Sequence, residues 1–319
     1  MKTLTFDNGD KMPILGLGTW QSKPGEVYEA IINAIKMGYR HFDCAYIYKN
    51  EKEIGEAFAK AFKDGVVKRE ELWITSKLWN DSHRPEHVMP ALERTLKDLQ
   101  LDYLDLYLVH WPLVLKHGVE FPEKKEDFET LDEVPLTSTW KAMEELPATG
   151  KVRHIGVSNF KIKKLKEILD SAKIKPEMNQ VEMHPFLQQN DLVDFCKSEG
   201  IHLTAYAPLG AAYRMKGAGG LDLPILLENE AVSSIAENHN ASAAQVVLAW
   251  GMSRDIAVIP KSVNAKRIAE NLSSTELTLS QSEVDSLNKL EGPVRFTDGK
   301  LWTLHDSPYE FSDFWEEYS

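Results

Sequence analysis

With 319 residues, 43% hydrophobic and 27% charged, the chain is long enough to bury a large core, as one α/β barrel or as two smaller domains. A formal net charge of −12 argues against nucleic acid or an anionic membrane surface as the main partner, while leaving room for a local basic cluster around an anionic ligand. Cys44 and Cys196 are too few for a disulfide framework or a cysteine metal site, and without an apolar signal core or about 18 consecutive apolar residues a reducing cytosol is the expected compartment.

From the N-terminus, short apolar runs alternate with amphipathic stretches. Residues 3–6 and 11–13 flank Asn8-Gly9 and read as a hairpin, after which 14–18 is a first short strand. Residues 25–37 carry Val27, Ile31, Ala34 and Ile35 at helical spacing. A strand at 39–43, a helix at 51–63, a strand at 72–77 and a helix at 85–99, opened by Pro85, follow. Further strands fall near 103–109, 152–157, 178–182, 202–206 and 256–259. Helices fall near 137–146, 161–170, 190–198, 243–253 and 264–272. Eight strands in βα units imply a parallel sheet and, at this length, closure into a (β/α)₈ TIM barrel. No Pro/Gly/Ser linker divides the chain, so residues 1–319 are expected to form one domain. Segments 112–136 and 209–224 break the rhythm after strands and are expected as loops over the C-terminal face. The tail, 291–319, is spotted with Phe296, Trp302, Tyr309, Phe311, Phe314 and Trp315, and reads as either a frayed terminus or a segment closing a pocket.

A barrel places its chemistry at the C-terminal ends of its strands. Four polar residues lie there: Asp43 and Tyr48 after the second strand, Lys77 at the end of the third and His110 at the end of the fourth. A free tyrosine ionises near pH 10, too high for efficient proton transfer at neutrality, and a neighbouring ammonium such as Lys77 lowers that value. Asp43 then keeps Lys77 charged and placed, and a neutral His110 orients a carbonyl oxygen. Taken singly, Asp43 also reads as a turn cap, Tyr48 as a helix-start aromatic and Lys77 as a solvated lysine.

Other features are weighed the same way. Tyr48 and Lys52 satisfy the Tyr-x-x-x-Lys spacing of another reductase class, but the segment from Gly16 to Gln21 lacks the third glycine of a Rossmann phosphate loop. Ile259-Pro-Lys-Ser-Val-Asn264 runs from the last strand into a helix bearing Arg267, Glu270 and Asn271, a place suited to a phosphate and equally to a plain helix cap. Ser158, Asn159 and Gln180 offer amide and hydroxyl groups to a carboxamide, and Tyr206 offers a ring to stack on. Trp20, Trp79 and Trp111 follow strand ends and form either rim packing or an apolar substrate wall. A metal hydrolase finds no support: no His-x-His pair accompanies His110 or His184, and Lys77 is a poor neighbour for a divalent ion. Asn80, Asn240 and Asn271 match the glycosylation triplet by chance.

The motifs together resemble the aldo-keto reductases over nearly the whole chain. They are Gly16-Leu-Gly-Thr-Trp20, Gly38-Tyr-Arg-His-Phe-Asp43 with Tyr48, Ile74-Thr-Ser-Lys-Leu-Trp79, Leu104-Asp-Leu-Tyr-Leu-Val-His-Trp-Pro112, Ile155-Gly-Val-Ser-Asn-Phe160 and Ile259-Pro-Lys-Ser262. The resemblance implies a (β/α)₈ barrel that binds NADPH without a Rossmann fold. It implies that Asp43, Tyr48, Lys77 and His110 are a catalytic tetrad with Tyr48 the general acid. Ser158, Asn159 and Gln180 resemble carboxamide ligands, and Tyr206 the ring-stacking residue. Lys261, Ser262, Asn264 and Arg267 resemble a 2′-phosphate site, with Glu270 and Asn271 near the adenine. Gly18, Thr19, Trp20, Asp43, Ala207, Leu209 and Val263 complete the expected cofactor contacts, and Trp20, Tyr48, Trp79, His110 and Trp111 the substrate contacts.

Two departures stand out. Ala207 occupies a place where many members have serine, and 209–224 offers no counterpart to the acidic loop residue that clasps the cofactor in some of them. The pattern is nearest the aldose, xylose and aldose-6-phosphate reductases, so the expected activity is NADPH-dependent reduction of aldehydes, including sugars or sugar phosphates, by a monomer or dimer. Lys116, His117, Arg214, Lys216 and Arg295 are candidates for contacting a sugar phosphate. The alternative is a regulatory or structural protein on the same barrel, although a short stretch before the first strand speaks against a channel-associated subunit.

Overall fold

Turn chemistry at Asn8-Gly9 folds the chain back on itself at once, pairing β1 (Thr3–Thr5) with β2 (Lys11–Pro13) so that Leu4 faces Met12. The structure is a computed structural model that describes residues 1–210, 225–290, 292 and 294–315. Eight parallel strands follow the hairpin: β3 (Leu17–Gly18), β4 (His41–Asp43), β5 (Trp73–Leu78), β6 (Leu104–Val109), β9 (Val152–Ser158), β10 (Met178–Glu182), β11 (His202–Tyr206) and β12 (Ala257–Val258). They lie side by side in that order. The two edge strands meet: Gly16 N–H donates to Val258 O at 2.9 Å, Val258 N–H to Ile14 O at 2.8 Å, and Gly18 N–H to Pro260 O at 3.1 Å. The sheet is therefore a closed ring, which leaves no free strand edge.

Helices cover the outside. Helix α1 (Glu26–Met37) buries Val27, Ala30, Ile31, Ala34 and Ile35 along one stripe and stops at Gly38, whose φ of 107° a residue with a side chain rarely adopts. Helix α2 (Glu51–Lys63) crosses α3 (Pro85–Leu99) at Gly55, where a Cβ would overlap the backbone of Asp98 and Leu99. The helices α4 (Leu136–Glu144), α5 (Ile162–Leu169), α6 (Asn190–Glu199), α7 (Glu230–Asn238), α8 (Ala243–Ser253), α9 (Ala265–Ser273) and α10 (Gln281–Leu287) continue the layer. The sequence reading did not include α7 and α10. Among the described residues no helix is long and apolar enough to cross a membrane.

The hairpin closes the barrel at the N-terminal ends of its strands. Phe6 packs against Trp73, His154 and His202 at centroid distances of 4.9, 4.3 and 4.8 Å. Asp10 bonds Arg153 at 2.7 Å and His154 Nε2 at 2.9 Å, while Glu177 meets His154 Nδ1 at 3.0 Å. Burial alone would lower the pKa of His154, but the carboxylates of Glu177 and Asp10 hold it above the ordinary histidine value.

The opposite end differs from the sequence reading. Segment 112–136 is not wholly loop, because β7 (Val114–Leu115) pairs antiparallel with β8 (Phe128–Glu129). The tail is not frayed over its described part: it forms a 3-10 turn at Lys300–Thr303 and a short helix α11 (Phe311–Phe314). These pieces gather Trp79, Trp111, Leu115, Phe128, Trp302, Tyr309, Phe314 and Trp315 into a second apolar cluster at the barrel mouth. Of 209–224 only Leu209 and Gly210 are described; Arg214 and Lys216 lie outside the described residues.

Replacing Asp10 with asparagine removes one of the two anions on His154. A histidine whose pKa is raised by folding contributes stability that is full below the unfolded value and fades as pH rises through the folded one. The wild type should therefore exceed Asp10→Asn by about 1–2 kcal/mol in urea unfolding at pH 6. The gap should narrow at pH 9, where His154 is neutral and the Arg153 and Asn8 contacts of Asp10 remain.

Candidate active site

The site is built from adjacent strand ends. Asp43 ends β4, and the chain turns through a single 3-10 turn, Tyr46–Tyr48, that Lys49 terminates in the left-handed region at φ 58°. This turn carries the Tyr48 hydroxyl back over β5, where Lys77 rises from the barrel interior with 1% exposure. Lys77 Nζ donates to Asp43 Oδ2 at 2.7 Å, to Cys44 O at 2.9 Å and to Tyr48 Oη at 3.4 Å. Each of its three N–H groups has an acceptor. Gln180 Nε2 on β10 donates to the second oxygen of Asp43 at 2.7 Å, so the buried carboxylate is paired and hydrogen-bonded on both sides.

His110 follows β6, with its backbone N–H on Leu78 O at 3.1 Å. Its ring stands edge-on to Trp79 and Tyr48 at 5.0 and 6.0 Å between centroids. Burial, reinforced by the Lys77 ammonium and by His83, holds its pKa well below the usual histidine value. The imidazole is neutral at physiological pH, with one N–H to donate and no proton to give up readily.

The next strand ends are stitched to it. Asn159, left-handed at φ 64°, donates from Nδ2 to His110 O at 2.9 Å and accepts from Tyr206 Oη at 2.7 Å. Ser158 Oγ donates to Gln180 O at 2.8 Å. Ala207, immediately after β11, is also left-handed, at φ 45°. Both residues border the same cavity; asparagine adopts this region readily, whereas for Ala207 it costs on the order of 1–2 kcal/mol.

That cavity has a volume of about 290 Å³. It collects Gly18, Thr19, Trp20, Asp43, Tyr48, Trp79, His110, Trp111, Ser158, Asn159, Gln180, Tyr206, Ala207 and Lys261 from the residues singled out in the sequence. Gly18 is required by packing there, since a Cβ would sit 2.8 Å from Ile259 O. The sequence reading missed Ile47, Phe121 and Ile259, and it offered the tail as a pocket-closing segment without assigning the run Thr297–Trp302, which also lines the cavity, to the site. Trp302 touches Trp79 and Trp111 at 5.8 and 5.7 Å, so the tail supplies one wall. The aromatic spotting of the tail was the signal available for that wall.

Beyond Lys261 the chain continues to the start of α9. Asn264 caps this helix, its Oδ1 accepting from Lys266 N and Arg267 N, and Ser262 Oγ accepts from Asn264 N. Arg267 is exposed in the first turn of that helix, and Lys261, its pKa lowered by burial, reaches Gln21 O at 3.2 Å. Leu209, Ser262, Val263, Asn264, Arg267, Glu270 and Asn271 do not line the cavity; Leu209 and Val263 pack on the core. The cavity is thus edged with amides and a phenol ring and reaches Lys261, four residues before α9 begins. Lys52 stands on the exposed face of α2. Among the described residues no three His, Cys, Asp or Glu side chains are grouped to hold a metal ion.

Comparison with known proteins gives one pattern. The sequence profile described as the Aldo/keto reductase family matches residues 14–291. An aldo/keto reductase of Synechocystis sp. is 49% identical over 317 residues, covering 99% of this chain and 97% of the relative. Aldo-keto reductase family 1 member A1 of Mus musculus is 46% identical over 296 residues, covering 92% of this chain and 90% of its own. The solved aldose reductase from Schistosoma japonicum superposes with a TM-score of 0.89 at 43% identity, covering all of both chains.

The Asp43–Lys77 pair is buried on both sides, with side-chain exposures of 3% and 0%. Lys77→Met should cost about 3 kcal/mol of stability by stranding the Asp43 carboxylate. Adding Asp43→Asn should recover part of that loss, so chemical denaturation of the two single variants and the double variant should show strong non-additivity.

Proposed function

The chain belongs to the aldo/keto reductase family, a family of oxidoreductases, and from that premise we propose that it reduces aldehydes to alcohols with NADPH, Tyr48 donating the proton. The observation that carries this reading is the convergence of Tyr48, the Lys77–Asp43 pair and a neutral His110 on one cavity whose far end runs to Lys261.

The residues fit this cofactor by their chemistry. Ser158, Asn159 and Gln180 present hydroxyl and amide groups suited to a carboxamide, and the Tyr206 ring borders the same slot. Lys261 and Arg267, the cations on either side of the α9 start, suit a phosphate, with Ser262 and Asn264 shaping that turn. When bound, NADPH supplies a hydride to the carbonyl carbon.

The remaining work belongs to the side chains. His110 donates its N–H to the carbonyl oxygen and fixes the aldehyde's orientation. Tyr48 passes its hydroxyl proton to that oxygen, and the ammonium of Lys77 stabilises the phenolate left behind. Asp43 and the carbonyl of Cys44 keep that ammonium in place. Trp20, Trp79, Trp111 and Trp302 exclude water around the reacting carbon.

These walls favour an aldehyde with an apolar or aromatic body over a sugar phosphate. Among the candidate basic residues that are described, Lys116 and His117 do not line the cavity and the Arg295 guanidinium stacks on Trp315 at 3.7 Å. In this reading residues 1–319 act as one barrel domain, with 291–319 forming the substrate side.

Tyr48→Phe tests the mechanism. Turnover of an aromatic aldehyde should fall by about 10²–10⁴-fold, while NADPH affinity by fluorescence titration stays within about threefold. Unaltered turnover would refute Tyr48 as the acid. For the cofactor, Lys261→Met with Arg267→Met should weaken NADPH by about 100-fold and leave NADH nearly unaffected, since NADH lacks the added phosphate. Equal weakening of the two would place those cations elsewhere.

A further inference from the structure

Glu182 ends β10, two residues beyond Gln180 and one layer nearer the mouth, since alternate residues of a strand face the same way. It has 0% exposure and takes no part in the chemistry above. Its carboxylate accepts from the backbone N–H of Phe296 at 2.8 Å and of Thr297 at 2.6 Å, and it meets His184 Nε2 at 3.0 Å. These bonds, with Arg295 nearby, outweigh burial and keep the carboxyl below its ordinary pKa. A buried anion is thus spent on two amides of the tail.

The contacts on either side lead to the same place. Val294 N–H bonds Phe186 O at 2.9 Å, and Gly292 lies so close to that carbonyl that a Cβ would overlap it. Phe296 covers the His184 ring at 5.1 Å. From Thr297 the chain enters the cavity wall and runs to Trp302, and the Trp315 indole N–H holds it from the other side through Asp298 O at 2.7 Å.

We propose that Glu182 is a positioning residue for substrate selection, its buried carboxylate anchoring the C-terminal segment that delivers Trp302 to the substrate wall. This rests on the reading of the cavity as a carbonyl-reducing site. A carboxylate is needed because both donors are backbone N–H groups that demand acceptors; an amide in its place presents one oxygen and one competing donor. Without the anchor, the aromatic wall loses its fixed placement while Tyr48, Lys77 and His110 keep theirs. A large aldehyde should suffer more than a small one, through KM more than kcat.

The test compares wild type with Glu182→Gln on benzaldehyde and propanal, with amide hydrogen exchange of the tail as a second readout. The expected result is a drop of about tenfold or more in the benzaldehyde-to-propanal ratio of kcat/KM, carried mainly by KM, with NADPH affinity unchanged. Exchange at Phe296 and Thr297 should quicken by a similar factor. In a Trp302→Ala background, Glu182→Gln should lower the ratio no further, because both changes remove the same wall. An unchanged ratio together with unchanged exchange would overturn the anchor. If Glu182→Gln does not fold, Thr297→Pro deletes one amide donor and leaves the carboxylate intact, and the benzaldehyde-to-propanal ratio with exchange at Phe296 decides. A wild type that reduces neither aldehyde defeats the parent reading instead, and the exchange experiment still decides whether Glu182 holds the tail.

Discussion

An ammonium buried in a barrel must find three acceptors or be expelled, and the arrangement around Lys77 follows from that constraint. Desolvating a lysine costs several kcal/mol unless a counter-ion and further acceptors replace water. Here the acceptors are a carboxylate, a backbone carbonyl and a phenol, drawn from the one stretch between Asp43 and Tyr48. The turn after β4 is therefore as much part of the site as the side chains, because it aims both the Cys44 carbonyl and the Tyr48 hydroxyl at Lys77. Asp43 in turn needs Gln180, which ties the pair to the far side of the ring. Closure of the barrel is what makes that reach possible.

The barrel was legible because its signals are periodic. Helices at 51–63, 85–99 and 243–253 are found with those boundaries, since apolar spacing, Pro85 and the Ser242–Gln245 capping box mark them locally. The catalytic candidates were legible because strand ends in a barrel share one face. Other parts had no local signal. The ladder between Val114–Leu115 and Phe128–Glu129 joins two residues to two across a charged stretch, so neither half reads as a strand alone. The tail is fixed by single long-range bonds, such as Tyr309 Oη to Glu129 O at 2.6 Å and Trp315 Nε1 to Asp298 O at 2.7 Å. Such contacts leave no period in the sequence, only aromatic residues whose partners are unknown until the fold is seen. The Cys44 carbonyl was invisible for a similar reason: backbone groups carry no residue identity.

The two ends of the barrel thus play different physical parts. At the N-terminal end charges are paired for closure, with Asp10, Arg153, His154 and Glu177 holding the hairpin in place. At the C-terminal end the paired charges of Asp43 and Lys77 sit beneath an apolar rim made by segments outside the repeating βα pattern. The candidate catalytic side chains come from the repeating part and much of the cavity's aromatic wall from the added part. A cavity with aromatic walls and a neutral histidine suits an uncharged carbonyl.

The most direct measurement follows the hydride itself. Purified protein is given benzaldehyde and NADPH carrying deuterium at both hydrogens of the reactive ring carbon, and the alcohol is examined by mass spectrometry alongside absorbance at 340 nm, where reduced nicotinamide absorbs. Direct reduction places the deuterium on the alcohol carbon, with one cofactor oxidised for each alcohol formed over many turnovers. Tight NADPH binding with no oxidation beyond the bound equivalent, or alcohol free of deuterium, would contradict hydride transfer at this site.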